Sequence, residues 1–269
     1  MRLTVEHVTH YRFDPPRTRV VQSHRLTPAV TEGQRPEAWA IEAEGAVRGA
    51  AFTDGAGDRI TSMTLSGPVA EVALTVAGTV VTMDTAGVLR GHREMVAPSV
   101  YLRKTRQTAP GVAIVDLAKR LPSAADLTLD AAHTMANHVA EAIEYTPGAT
   151  HTEMTATEAV ELGRGVCQDH AQVLIALARW RGMPARYVTG YLFADADGQA
   201  HEASHAWAEL FVPDLGWVGF DPANGCCPDE RYIRLGSGFD ALDAAPIRGI
   251  SLGAGDESMD ISVNVAAQQ

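Results

Sequence analysis

The stretch that decides the fold is Cys167-Gln-Asp-His-Ala-Gln-Val-Leu-Ile-Ala-Leu-Ala-Arg-Trp-Arg181, closed by Gly182-Met-Pro184 and continued by Ala185-Arg-Tyr-Val-Thr-Gly-Tyr-Leu-Phe193. Ala171, Leu174, Ile175 and Ala178, with Leu177 beside them, recur at i, i+3, i+4 and i+7, which predicts a helix with a broad buried stripe. Arg179 and Arg181 sit in its last turn, where the helix dipole favours cations. Glycine followed by Met-Pro is a strong stop. Beyond Pro184 the apolar period changes to 2. Strands are expected over 185–193, 204–212 and 217–221, joined by turns at Asp195-Ala-Asp-Gly198 and Pro213-Asp-Leu-Gly216. A helix followed by an antiparallel meander is an α+β core.

Upstream, Gly111–Leu121 and Asp126–Ile143 read as helices, and Thr155-Ala-Thr-Glu158 opens a third that Gly163 and Gly165 break. Residues 96–111 carry Pro98 and Pro110 and read as a connector. Residues 1 to about 92 read as β, with strands over 3–13, 38–44, 60–65 and 69–83 separated by Asp54-Gly55 and Gly67-Pro68. The expected organisation is an N-terminal β-sandwich over 1–92 and a core with a C-terminal extension over 93–269. His7, His10 and His24 read as strand-face or surface residues.

The chain has 269 residues, 46% of them hydrophobic, and a net charge of −11, which suits an ordinary globular protein with a substantial core. No Lys/Arg run exceeds two residues, so the basic stripe of a nucleic-acid binder is missing. No apolar run approaches the ~20 residues of a membrane span, and Met1–His7 has no apolar h-region. Three cysteines, Cys167, Cys226 and Cys227, argue for reduced thiols. The expectation is a cytoplasmic protein with no membrane or nucleic-acid partner.

Three islands carry candidate chemistry: Gly163-Arg-Gly-Val-Cys-Gln-Asp169, Ser204-His-Ala-Trp207 and Phe220-Asp-Pro222. A cysteine in the first turn of a helix meets unpaired N–H groups and the positive dipole end, which stabilise a thiolate and can cradle an oxyanion. His205 is expected on a strand that could deliver an imidazole to that helix end. Asp221, extended before Pro222, could accept the imidazole N–H from the next strand. Taken singly, each residue fits a structural role as well: a buried cysteine, a packed strand histidine, a turn aspartate. Their order and settings agree on a nucleophile, a base and an orienting group.

His201-Glu-Ala-Ser-His205 also fits the zinc-hydrolase pattern H-E-x-x-H. That chemistry needs a helix, so that both histidines share one face. Here the pattern enters a period-2 segment, where residues i and i+4 lie about 13 Å apart. Position 211 is Phe rather than a third ligand. A zinc-dependent hydrolase therefore stands as the alternative reading, together with a non-catalytic protein-binding module.

Four segments together resemble the bacterial transglutaminase-like proteins of the papain-like transglutaminase core superfamily. They are Gly165-Val-Cys-Gln-Asp-His-Ala171, Gly182-Met-Pro-Ala-Arg-Tyr-Val-Thr-Gly-Tyr191, Ser204-His-Ala-Trp-Ala-Glu209 and Gly216-Trp-Val-Gly-Phe-Asp-Pro-Ala-Asn-Gly225. Tyr11-Arg-Phe-Asp14 and Leu26-Thr-Pro28 are similar to the β domain that precedes the core in this family. The resemblance implies Cys167 as nucleophile, His205 as base and Asp221 as orienter, acting on a protein or peptide substrate without metal or organic cofactor. Tyr145 is a candidate second oxyanion donor, and Gln168 and Trp207 are candidate cleft residues. Gln172 departs from the family pattern, where His is frequent, as does Cys226-Cys227.

Overall fold

Strand β1 (Arg2–His24) buries Leu3, Val5, His7, Thr9, Tyr11 and Phe13 on one face and turns the alternate residues outward, as strand geometry dictates. The structure, a computed structural model, describes residues 1–121, 127–193 and 204–268. β1 runs on through Pro15 and Pro16, where its register against β4 (Arg59–Thr82) shifts between Arg12 and Arg19. Proline cannot donate to a ladder, and Arg17 occupies this break. Its buried guanidinium donates to the carbonyls of Pro15, Ala254, Gly255 and Asp256.

β2 (Gln34–Ala43) pairs with one half of β4 and β3 (Val47–Thr53) with the other. The strand-rich region is thus one hydrogen-bonded six-stranded sheet whose two long strands pass through both halves. The segments over 60–65 and 69–83 are one strand, because β4 continues across Gly67-Pro68 opposite the β1 register shift.

The second sheet is the expected meander with one added strand. β7 (Ala185–Leu192), β8 (Ser204–Val212) and β9 (Gly216–Phe220) are antiparallel neighbours, and β10 (Tyr232–Gly238) pairs on the far side of β7. Helix α4 (Cys167–Trp180) packs on this sheet. α1 (Val112–Arg120), α2 (Leu129–Ala142) and α3 (Ala156–Leu162) surround it. Ala171, Leu174, Ile175 and Ala178 of α4 are fully buried in a core shared with Ala206, Ala208 and Leu210 of β8. The α3 start is a capping box in which Thr155 and Glu158 satisfy each other's backbone N–H. Two two-residue strands, β5 (Glu144–Tyr145) and β6 (Arg164–Gly165), run parallel just ahead of α4.

The C-terminal extension expected after the core crosses to the N-terminal sheet. β11 (Ile247–Leu252) and β12 (Asp256–Ala267) return to the N-terminal sheet and pair with β1, at Arg19–His24 and Leu3–Asp14 respectively. β1 would otherwise present an open edge, and Val263 and Val265 complete the apolar face beside Leu3 and Val5.

The two sheets share a core. Leu3, Val5, Leu74 and Val76 pack with Tyr191, Ile233 and Leu235 from β7 and β10. Beside that contact lies a buried chain of charges. Glu209 of β8 accepts from Arg186 Nε at 2.6 Å and from Arg234 Nε at 2.9 Å. Arg234 also reaches Asp58, just ahead of β4, at 3.0 Å, and Arg186 pairs with Glu94. Burial would raise the Glu209 carboxyl, but the Arg234 and Arg186 charges override it and hold it down at about 2.

Candidate active site

Cys167 is the first residue of α4, placed there by a tightly built turn. Gly163 caps α3 with φ +67°, a left-handed conformation that glycine adopts without a Cβ penalty. A Cβ on Gly165 would lie 2.7 Å from Asp169 Cβ, so the close approach of β6 to α4 requires glycine. Asp169 Oδ2 accepts from the Val166 N–H at 2.8 Å and from the Thr150 hydroxyl at 2.6 Å, tying the turn to the 146–154 loop. The N–H groups of Asp169 and His170 both donate to the Val166 carbonyl. The amides of Cys167 and Gln168 precede those bonds and belong to the helix-end donors that intrahelical bonding leaves over.

His205 opens β8. The residues alternating with it, Ala206, Ala208 and Leu210, join the α4 core, whereas Trp207 packs with Val188, Leu192 and Tyr232. His205 thus sits at the start of the strand, where its ring stacks on Trp207 at 6.4 Å between centroids. Its Nε2–H donates to Asp221 Oδ2 at 2.6 Å, and the imidazole also hydrogen-bonds the Cys167 thiol. Burial would push this imidazole down. The hydrogen bonds to Asp221 and Cys167, and their charges, override burial and carry it up to about 10.

Asp221 lies just beyond β9 and is 1% exposed. Its Oδ1 accepts the backbone N–H groups of Ala223 and Asn224, at 3.1 and 3.3 Å. Its Oδ2 accepts from His205, from Asn224 Nδ2 at 2.7 Å and from the Tyr232 hydroxyl at 2.8 Å. Burial works to raise the carboxyl, yet these donors and the His205 charge hold it below the usual aspartate value. The three expected residues are therefore brought together.

The remaining expectations fare differently. Trp207, 2% exposed, is packed beneath His205, where Gly190 on the neighbouring strand leaves room for its ring, and it borders a pocket shared with Glu209, Gly219, Pro228 and Tyr232. Gln168 is half-buried beside Cys167, and its amide donates to the Thr152 carbonyl at 3.3 Å. Tyr145 pairs across to Gly165 in the β5–β6 bridge and is half exposed, its ring against His170. Gln172 is fully buried and donates to the Met154 carbonyl. Of the H-E-x-x-H pattern, His205 lies on a strand and is committed to Asp221, while His201 and Glu202 lie outside the described residues.

Sequence reasoning missed Asn224 and Tyr232, whereas His170, in the first turn beyond Cys167, reads as a candidate supporting residue, and its ring lies between the carbonyls of Val166 and Ile143. Asn224 had a local signal, since Asp-Pro-Ala-Asn is a turn in which the aspartate accepts nearby N–H groups. Tyr232 had none.

Comparisons with known proteins bear on family and fold. A family model for the transglutaminase-like superfamily matches residues 115–222, and one for the bacterial transglutaminase-like N-terminal region matches residues 3–81. An uncharacterized protein of Mycobacterium leprae is 29% identical over 98% of each chain. A protein-glutamine gamma-glutamyltransferase of Pseudomonas aeruginosa is 27% identical over 35% of this chain, which spans 15% of that relative's length. A solved structure from Cytophaga hutchinsonii, described as a candidate cysteine protease, superposes with a TM-score of 0.73. It covers 99% of this chain and 90% of its own, at 19% identity, and the likeness is one of fold.

Proposed function

We propose, on the premise that residues 115–222 match the transglutaminase-like superfamily and residues 3–81 its bacterial N-terminal region, that the chain catalyses cysteine-dependent acyl transfer on a peptide or side-chain amide. Cys167 is the nucleophile, His205 the base and Asp221 the group that fixes the imidazole. The observation carrying this reading is the buried 2.6 Å bond between His205 Nε2 and Asp221 Oδ2, on an imidazole that also engages the Cys167 thiol.

The chemistry follows from the seats of these groups. The Cys167 proton passes to His205, and the sulfur attacks the amide carbon. The developing oxyanion faces the helix-end amide of Cys167, with the Tyr145 hydroxyl as a second donor. His205 returns the proton to the leaving amine, and a thioester remains on Cys167. Water, activated by His205, then attacks the thioester carbonyl; sulfur leaves and the acid is released. Hydrolysis is favoured over transamidation because water needs no seat of its own, whereas an amine acceptor needs a subsite that excludes water.

The test is alkylation by iodoacetamide, followed at Cys167 by peptide mass spectrometry across pH 5–10 in the full chain. Fast labelling of Cys167 below pH 7 that is lost in His205→Ala supports the pair. A rate that rises only above pH 8 in both proteins would exclude it and favour a non-catalytic binding role. Full activity in Cys167→Ala, with loss on chelation, would favour the zinc reading instead.

A further inference from the structure

The carboxylate of Asp221 is held by more than its histidine. Tyr232, on β10, lies two strands from β8 across β7 and reaches back over Trp207 to place its hydroxyl 2.8 Å from Asp221 Oδ2. Cys226 pairs with Asp221 through both backbone hydrogen bonds, and its sulfur lies 3.3 Å from the Tyr232 oxygen. The Tyr232 proton is given to a carboxylate, so the phenol oxygen is left as an acceptor and the Cys226 S–H as its donor. The order thiol to phenol to carboxylate gives every proton one direction.

We propose that Tyr232, backed by Cys226, is a positioning residue that fixes Asp221 Oδ2 toward His205. The proposal rests on the triad reading above and adds to it a reason for the otherwise unexplained Cys226. Two further features agree with it. Burial, then the neighbouring Asp221 charge, pushes the Tyr232 phenol well above its ordinary value, so it keeps the proton it donates. Burial also pushes the Cys226 thiol up, which keeps it a donor. The neighbouring Cys227 instead packs with the α4 core and against Gly87, so the two thiols serve opposite sides of the strand bridge.

The consequence is a sign as well as a loss. Each donor on Oδ2 stabilises the ionised carboxylate. Removing the Tyr232 hydroxyl lets Asp221 take up its proton at higher pH, and His205 then loses its charge partner. The acid limb of Cys167 reactivity should therefore move upward.

The experiment measures Cys167 alkylation rate against pH for wild type, Tyr232→Phe, Cys226→Ala and Cys226→Ser, with Asp221→Asn as reference. Tyr232→Phe is expected to move the acid limb up by about half to one pH unit. Cys226→Ala is expected to move it less in the same direction, and Cys226→Ser, which keeps a donor, to restore it. A wild-type acid limb in both Tyr232→Phe and Cys226→Ala, with low-pH labelling lost in Asp221→Asn, overturns the positioning role and leaves the triad standing. If Tyr232→Phe does not fold, the Cys226 pair decides by the same criterion. Wild-type labelling in Asp221→Asn itself removes the triad reading, and this proposal with it.

Discussion

His205 Nε2 and Asp221 Oδ2 lie 2.6 Å apart, on adjacent stretches of chain that are both screened from solvent. The pair fixes which protonation state the imidazole prefers, because burial alone would discharge it. Asp221→Asn removes the negative charge while keeping the shape. The imidazole should then give up its proton at lower pH, and Cys167 alkylation at pH 6 should fall at least tenfold, roughly one pH unit of proton affinity. Unchanged labelling in this variant would remove the triad reading.

The same pair makes a prediction about stability. His205 is held up to about 10 in the folded protein, against an ordinary value of 6.5. A raised histidine contributes stability that is full below 6.5 and lost as pH climbs through 10. Asp221, held below its ordinary value, contributes stability above that value and loses it on acidification. The melting-temperature advantage of wild type over His205→Gln should therefore be greatest near pH 6 and shrink steadily toward pH 10. An advantage that grows with pH would contradict the assignment. Differential scanning calorimetry of both proteins supplies the comparison.

Glu209 neutralises two buried arginines at once. Glu209→Ala leaves Arg186 and Arg234 facing each other without their shared carboxylate. Breaking one side of a buried ion pair costs about 3–5 kcal/mol, which urea unfolding would read directly. A cost below about 1 kcal/mol would mean that Glu94 and Asp58 suffice.

Deleting residues 247–269 should destabilise the N-terminal sheet rather than the core. It removes the partners of β1 and uncovers the surface under Ile247, Val263 and Val265. Burial of such side chains contributes about 1.5–3 kcal/mol each when complete. The melting temperature should fall by roughly 10 °C or more, or the protein should aggregate through the open edge of β1. A truncated chain that melts like the full one would show that β11 and β12 are dispensable.

Much of the site was legible because its signals are local. The apolar stripe of α4, the Gly182-Met-Pro184 stop and the period-2 run after Ser204 each fix an element within a few residues, and Cys167 and His205 ride on those elements. β10 was not legible. Tyr232–Gly238 is buried on both faces, so it lacks alternation, and Gly236 and the terminal Gly238 weaken its strand signal. β12 alternates well, but its partner lies some 250 residues earlier in the chain, and pairing at that distance leaves no mark on either segment alone.

The return of β12 to β1 has a consequence for the order of events during synthesis. Leu3–Asp14 are made early, while their neighbours at 256–267 are made some 250 residues later. At ribosomal rates of about 5–20 residues per second, that strand edge waits on the order of ten seconds or more for its partner. During that interval its backbone donors and acceptors are open to any passing strand. Nascent chains of this protein should therefore depend on a holding chaperone more than their size alone would suggest.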